Sequence, residues 1–94
     1  MLSEREKEDV KSRLRRIAGQ VSGVERMIDE DRYCMDVITQ ISAVCAALRT
    51  AEEIILENHL NTCVVDAIRS KDSVEQQEKI GEVMEFITRI RKRG

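Results

Sequence analysis

Cys34, His59 and Cys63 are the residues of this chain whose side chains could together hold a soft metal ion. His59 and Cys63 stand four apart, which puts two side chains on one face of a helix. Residues 32–70 contain no glycine and no proline, so one long helix is expected to carry all three. At ~100° per residue, with Ile55 as zero, Cys34 falls at about 60°, His59 at about 40° and Cys63 at about 80°. They share a face, yet along the axis Cys34 and His59 are separated by about 37 Å. Two such helices laid antiparallel about a centre near residue 48 bring Cys34 of one chain level with His59 and Cys63 of the other. Two-fold symmetry then makes two identical sites per dimer, each shared between subunits.

Two thiolates and one imidazole suit copper(I), zinc or an iron–sulfur cluster. A structural zinc site usually takes four ligands and a cluster usually takes four cysteines. Three donors, two of them sulfur, fit three-coordinate copper(I) best. Cys34 is expected in the first turn of its helix, where the dipole favours a thiolate. The remaining cysteine, Cys45, falls between Val44 and Leu48 near the two-fold centre and reads as a small buried hydrophobe.

Three helices are expected to position these residues. Ser3-Glu4-Arg5-Glu6 reads as a capping box opening the first. Within it Leu14, Ile17, Val21, Val24 and Ile28 alternate spacings of three and four, the seam of a bundle helix. Asp29-Glu30-Asp31 breaks the pattern and offers an N-cap to the second helix. That helix carries Val37, Ile41, Val44, Leu48, Ala51 and Ile55 in one stripe and should run to about Arg69. Such a rod of about 54 Å is too long for a compact 94-residue monomer. Asp72-x-x-Glu75 and Ser73-x-x-Gln76 are alternative capping boxes for the third helix, whose seam is Ile80, Val83, Met84 and Ile87. The expected class is all-α: a three-helix protomer, residues 1–94 as a single domain, pairing antiparallel into a four-helix bundle.

Lys11-Ser12-Arg13-Leu14-Arg15-Arg16 packs four positive charges into six residues. Arg15, Arg16 and Arg26, with Gly19 and Gly23, occupy the face opposite the seam. A mid-helix glycine costs about 1 kcal/mol relative to alanine, so two of them beside arginines suggest close approach by a large anion such as DNA. A solvated face with intrahelical ion pairs is the plainer alternative. Arg89, Arg91, Lys92 and Arg93 suit a helix C-terminus in any case. No helix-turn-helix is evident: the turn before residue 32 is acidic and leads into a helix too long for recognition.

The whole-chain composition narrows the classes further. Net charge is only −2, so nucleic-acid binding would need a local basic patch. With Tyr33 and Phe86 as its two aromatics, the chain nearly excludes a stacking platform for single strands. Three cysteines with no secretory signal argue for reduced thiols and a cytoplasmic protein. The apolar runs are short, so no membrane span is expected. One histidine and no Gly-rich loop leave little to catalyse with, and an enzyme is not expected.

The stretch "RLRRIAGQVSGVERMIDEDRYCMDVITQISAVCAALR" followed by "HLNTC" resembles the CsoR/RcnR family of bacterial metal-responsive repressors. The resemblance covers about residues 10 to 70 and is loose in the third helix. It implies an all-α fold, antiparallel dimers pairing into a tetramer, and binding of double-stranded operator DNA without a helix-turn-helix. The Cys, His and Cys at 34, 59 and 63 are similar to the copper(I)-sensing subgroup. The nickel and cobalt sensors carry histidine where Cys63 stands and another near the N-terminus. The persulfide sensors keep both cysteines but lack the histidine. By position, Tyr33 and Glu82 match an outer-shell pair behind the histidine ligand, with Glu78 an alternative for the carboxylate. The implied DNA surface takes in Arg13, Arg15 and Arg16, beside Lys11, and Arg49 on the second helix.

The resulting expectation is a copper(I)-responsive repressor with one copper per subunit, shared across the dimer interface. Alternatives are a thiol or persulfide sensor of the same fold, using Cys34 and Cys63 alone, or a copper buffer that does not bind DNA.

Overall fold

The computed structural model describes residues 2–93. Met1 and Gly94, the ends of the expected domain, lie outside the described residues. Among those described there are helices and turns and no strand. The elements are α1 (Glu4–Asp29), α2 (Cys34–His59), a π turn (Leu60–Val64), α3 (Val65–Arg69) and α4 (Ser73–Arg93). They fall into two compact units, Leu2–Leu56 and the segment from Glu57 onward.

In the first unit α1 opens on the expected capping box. Glu6 N–H donates to Ser3 Oγ at 3.2 Å, and Ser3 N–H donates back to Glu6 Oε1 at 3.1 Å, satisfying two otherwise orphaned donors. Its C-terminus differs from the sequence expectation. Asp31 adopts the left-handed region at φ 53°; Arg32 N–H reaches Met27 O at 2.9 Å and Asp31 N–H reaches Ile28 O at 3.1 Å. This is a Schellman closure with Asp in the position usually given to glycine, a conformation short polar side chains tolerate. The acidic triplet therefore ends α1 instead of capping α2. The latter starts at Cys34, with the Tyr33 carbonyl accepting from Asp36 at 3.0 Å and Val37 at 3.2 Å.

The buried side chains of this unit are Val10 and Ile17 on α1 and Val44 and Ala51 on α2, each pair two turns apart. Most of the rest of the expected seam stays open in the single chain: Leu14, Val21, Ile28, Ile41, Leu48 and Ile55 are exposed, Ile28 to 59%, while Val24 and Val37 are half-buried. Cys45, expected in a core, is exposed as well. One protomer has no layer to lay over these residues. Together α2, the π turn and α3 make a helical stretch Cys34–Arg69 long and apolar enough, by length and composition, to cross a membrane. The short-run reading missed this because the apolar residues are spaced along the helix. A core helix of an assembling protein meets the same criterion.

In the second unit Val64 and Ala67 are buried. Of the two capping boxes proposed for α4, Asp72 is the cap. Its Oδ1 accepts from Val74 N–H at 3.0 Å and Glu75 N–H at 3.3 Å. Gln76 is used elsewhere, donating through Nε2 to Ile68 O at 2.9 Å and tying α4 to the end of α3. Asp72→Ala is expected to cost about 1 kcal/mol of stability, the usual value of such a cap. Urea denaturation at fixed protein concentration measures it; a midpoint equal to that of the unchanged protein contradicts the capping role.

Candidate functional site

The 36-residue helix expected from sequence runs between the expected ends, but it is not α throughout. Residues 60–64 form a π turn, with His59 immediately before it and Cys63 inside it. A π turn has i→i+5 hydrogen bonds and occurs mostly as single turns, often at functional sites. The two donors assigned to one chain are thus joined by an irregular segment, and helical-wheel angles computed for a continuous α-helix do not hold past His59.

His59 is partly buried and faces Glu82 of α4, with Nε2 at 3.5 Å from Oε2. The other oxygen of Glu82, Oε1, stands 3.8 Å from Lys79 Nζ. At these separations neither contact is a short hydrogen bond; the Lys79 contact is between opposite charges, and the His59 contact sets the ring edge against the carboxylate. Between the two carboxylates considered from sequence, it is Glu82 that lies against the histidine. His59 Nδ1 has no hydrogen-bond partner among the described residues.

Cys63 is half-buried. Its thiol titrates below the ordinary value, chiefly because the Thr62 hydroxyl approaches Sγ at 3.7 Å, against an opposing effect of burial; the Lys79 cation adds a smaller pull. The same hydroxyl also donates to Asn58 O at 2.8 Å. It has one proton to share, and the shorter contact takes most of it, so the pull on Cys63 is modest. Sequence reasoning found neither Thr62 nor Lys79. The Lys79-x-x-Glu82 spacing was the available signal for the second.

Cys34 is the first residue of α2 and is exposed, and Tyr33 before it is 69% exposed. Among the described residues no three His, Cys, Asp or Glu side chains of one chain converge as a metal cage. The donor chemistry nevertheless fits a soft monovalent ion: a thiol biased toward thiolate, an imidazole with one nitrogen unengaged, and a second, accessible thiol.

The basic residues divide into two groups. Lys11 Nζ pairs with Glu8 Oε1 at 3.5 Å and Arg13 Nε with Asp9 Oδ2 at 3.4 Å. Arg15, Arg16 and Arg49 are exposed without a salt bridge among the described residues. A Cβ placed on Gly19 or Gly23 meets nothing within 4 Å, so neither glycine is required by packing within the chain. At the far end of the sequence, Arg89 lies over the Phe86 ring at 5.9 Å.

Comparison with known proteins places the chain among metal-sensing repressors. The family model for metal-sensitive transcriptional repressors matches residues 6–89. The chain is 41% identical over 90 residues to the copper-sensing transcriptional repressor CsoR of Bacillus subtilis (strain 168), covering 96% of this chain and 86% of that protein. It is 52% identical over 63 residues to the copper-sensing transcriptional repressor RicR of Mycobacterium tuberculosis (strain ATCC 25618 / H37Rv), covering 67% and 66% respectively. Among solved structures it resembles the copper-sensing repressor CsoR with Cu(I) from Geobacillus thermodenitrificans NG80-2. There the TM-score is 0.86 at 40% identity, over 96% of this chain and 91% of that one.

Proposed function

Because the chain belongs to the metal-sensitive transcriptional repressor family, we propose that it is a copper(I)-responsive repressor that grips operator DNA when metal-free and lets go when copper(I) binds. The observation that carries this is the donor set itself. Cys34 heads α2, His59 precedes the π turn and Cys63 lies within it, with Glu82 against the imidazole, in a chain so similar to copper-sensing repressors. Repression, not catalysis, is the work of the family.

Residues 1–94 act as one metal-sensing and DNA-binding domain. Cys34 of one protomer joins His59 and Cys63 of an antiparallel partner, giving one copper(I) per subunit, and dimers pair into a tetramer. Support comes from the open apolar seams of α1 and α2 and from the placement of Cys34 at the head of α2, apart from His59 and Cys63 at and within the π turn. Bound copper(I) supplies a soft Lewis acid that ties two thiolates and a ring nitrogen together.

The protein's own residues do the rest. With Nε2 turned toward the Glu82 carboxylate, the ring proton belongs on Nε2, and Nδ1 is the nitrogen with a lone pair to give. Fixing that ring fixes the position of Glu82, and so of α4. Tyr33 completes the surrounding shell. Arg13, Arg15 and Arg16 of α1, with Lys11 and Arg49, are the DNA-facing charges, contacting phosphate in a way that depends on salt. Metal and DNA weaken each other's binding by the same factor, typically a coupling of about 1–3 kcal/mol. The protein works in the cytoplasm, where the operator and reduced thiols are found.

One observation also suits the thiol-sensor reading: the Thr62 contact that favours a Cys63 thiolate. In that reading His59 is idle. The deciding measurement for the main proposal is binding of fluorescent DNA from the upstream region, with and without copper(I). The unchanged protein should release it and Cys34→Ala should not. A copper-loaded protein that keeps its full grip on DNA rules the repressor cycle out.

A further inference from the structure

We propose that a groove between α1 and α2, lined by Arg13, Arg16, Ile17, Gln20, Ala47 and Thr50, seats one backbone phosphate of duplex DNA, and that Asp9 competes with that phosphate for Arg13. This rests on the operator-binding reading above and goes further by naming the seat, its uncharged donor and its internal rival.

The groove encloses about 260 Å³. A water occupies about 30 Å³ of liquid, so one phosphodiester group and a few waters fit. Residues 13, 16, 17 and 20 follow the i, i+3, i+4, i+7 spacing of one helix face. Ile17, nearly fully buried, and Ala47 give an apolar floor. Arg13, Arg16 and Gln20 add two cations and an amide to the lining. No carboxylate lines it.

The polar groups are not equivalent. Arg16 has Ser12, Arg13, Gly19 and Gln20 at the positions helical pairing would use, so its charge meets no acid on its own helix. Arg13 is held by Asp9 through Nε alone, which leaves both terminal amino groups for another acceptor. Thr50 has spent its hydroxyl proton on Ala46 O at 3.2 Å and can only accept, which an anion does not want. Gln20 is exposed, and its amide is the single neutral donor in the lining. An exposed ion pair such as Asp9–Arg13 is weak, so a phosphate can displace it. The carboxylate then remains beside the phosphate as a like charge and lowers affinity. On the same helix a Cβ at Gly19 or Gly23 would meet nothing within 4 Å, so no other part of the chain covers these two positions. Lys11 lies outside the groove and is paired with Glu8.

The test uses the metal-free full-length protein and a fluorescent duplex of the upstream region, with anisotropy read over a range of salt. Asp9→Asn should bind up to about fivefold tighter. Glu85→Gln, the same change in net charge on exposed α4, should not. Gln20→Ala should bind roughly 2- to 10-fold more weakly with an unchanged salt slope, as loss of a neutral hydrogen bond requires. Arg16→Gln should weaken binding and reduce the slope by about 0.9. If Asp9→Asn is no tighter than Glu85→Gln, or Gln20→Ala binds like the unchanged protein, the groove is not the seat, while operator binding still stands. If the unchanged protein does not bind the duplex at all, the repressor reading falls and this inference falls with it.

Discussion

A one-to-one mixture of Cys34→Ala and Cys63→Ala subunits, refolded together, is expected to recover copper(I) binding that neither variant has alone. In an antiparallel heterodimer, the intact Cys34 of the second variant faces the intact His59 and Cys63 of the first. The other site lacks both sulfurs. Random pairing makes about half of all dimers mixed, each with one good site of two, so about a quarter of the normal capacity should return. Each variant alone should lose more than the 10- to 100-fold in affinity typical of removing an outer partner of a metal ligand. Titration against a chromophoric copper(I) chelator measures both quantities. A mixture that holds no more than the separate variants means that the donors are not shared between chains.

Replacing the histidine should separate binding from response. His59→Ala keeps both thiolates, so the protein should still take up copper(I), more weakly. Its operator affinity should then hardly change on loading, whereas in the unchanged protein a coupling of about 3 kcal/mol corresponds to roughly a 150-fold release. The physical reason is that Glu82, on α4, faces the donor set through the imidazole at 3.5 Å. Without the ring, metal uptake loses the side-chain contact to Glu82 and keeps only the packing of the π turn against α4. The measurement is the ratio of operator dissociation constants with and without copper(I). A His59→Ala protein that responds as strongly as its parent points to chemistry between Cys34 and Cys63 alone.

Local rules with strong side-chain signatures were readable before any coordinates. Ser3 with Glu6 formed the box its spacing implied, and the outer limits of the long helix agree because no glycine or proline interrupts it. Features set by backbone competition were not readable. Asp31 can cap a helix or occupy the left-handed region, and the Schellman bonds of Arg32 and Asp31 decide for the latter. Gln76 could have completed a capping box, but its amide reaches the Ile68 carbonyl instead. The π turn has no compositional signal in "LNTCV". At the candidate metal site, spacing singled out His59 and Cys63, although the π turn that begins after His59 departs from the i, i+4 geometry assumed for them. Choosing Glu82 over Glu78 required knowing how α4 faces His59 within the second unit. Cys45 shows the opposite limit: its apolar neighbours suggested burial, yet in one chain it is exposed.

The π turn also bears on how finely the donors can adjust. Re-registering one turn between i→i+5 and i→i+4 bonding exchanges one backbone hydrogen bond for another and needs no unfolding. With His59 just before the turn and Cys63 within it, such a change would alter the gap between imidazole and thiol by a discrete step of about one residue. Residues 60–64 thus set the spacing between that nitrogen and that sulfur. Under the proposed donor assignment, the choice of cation would depend on this spacing as well as on which atoms hold it.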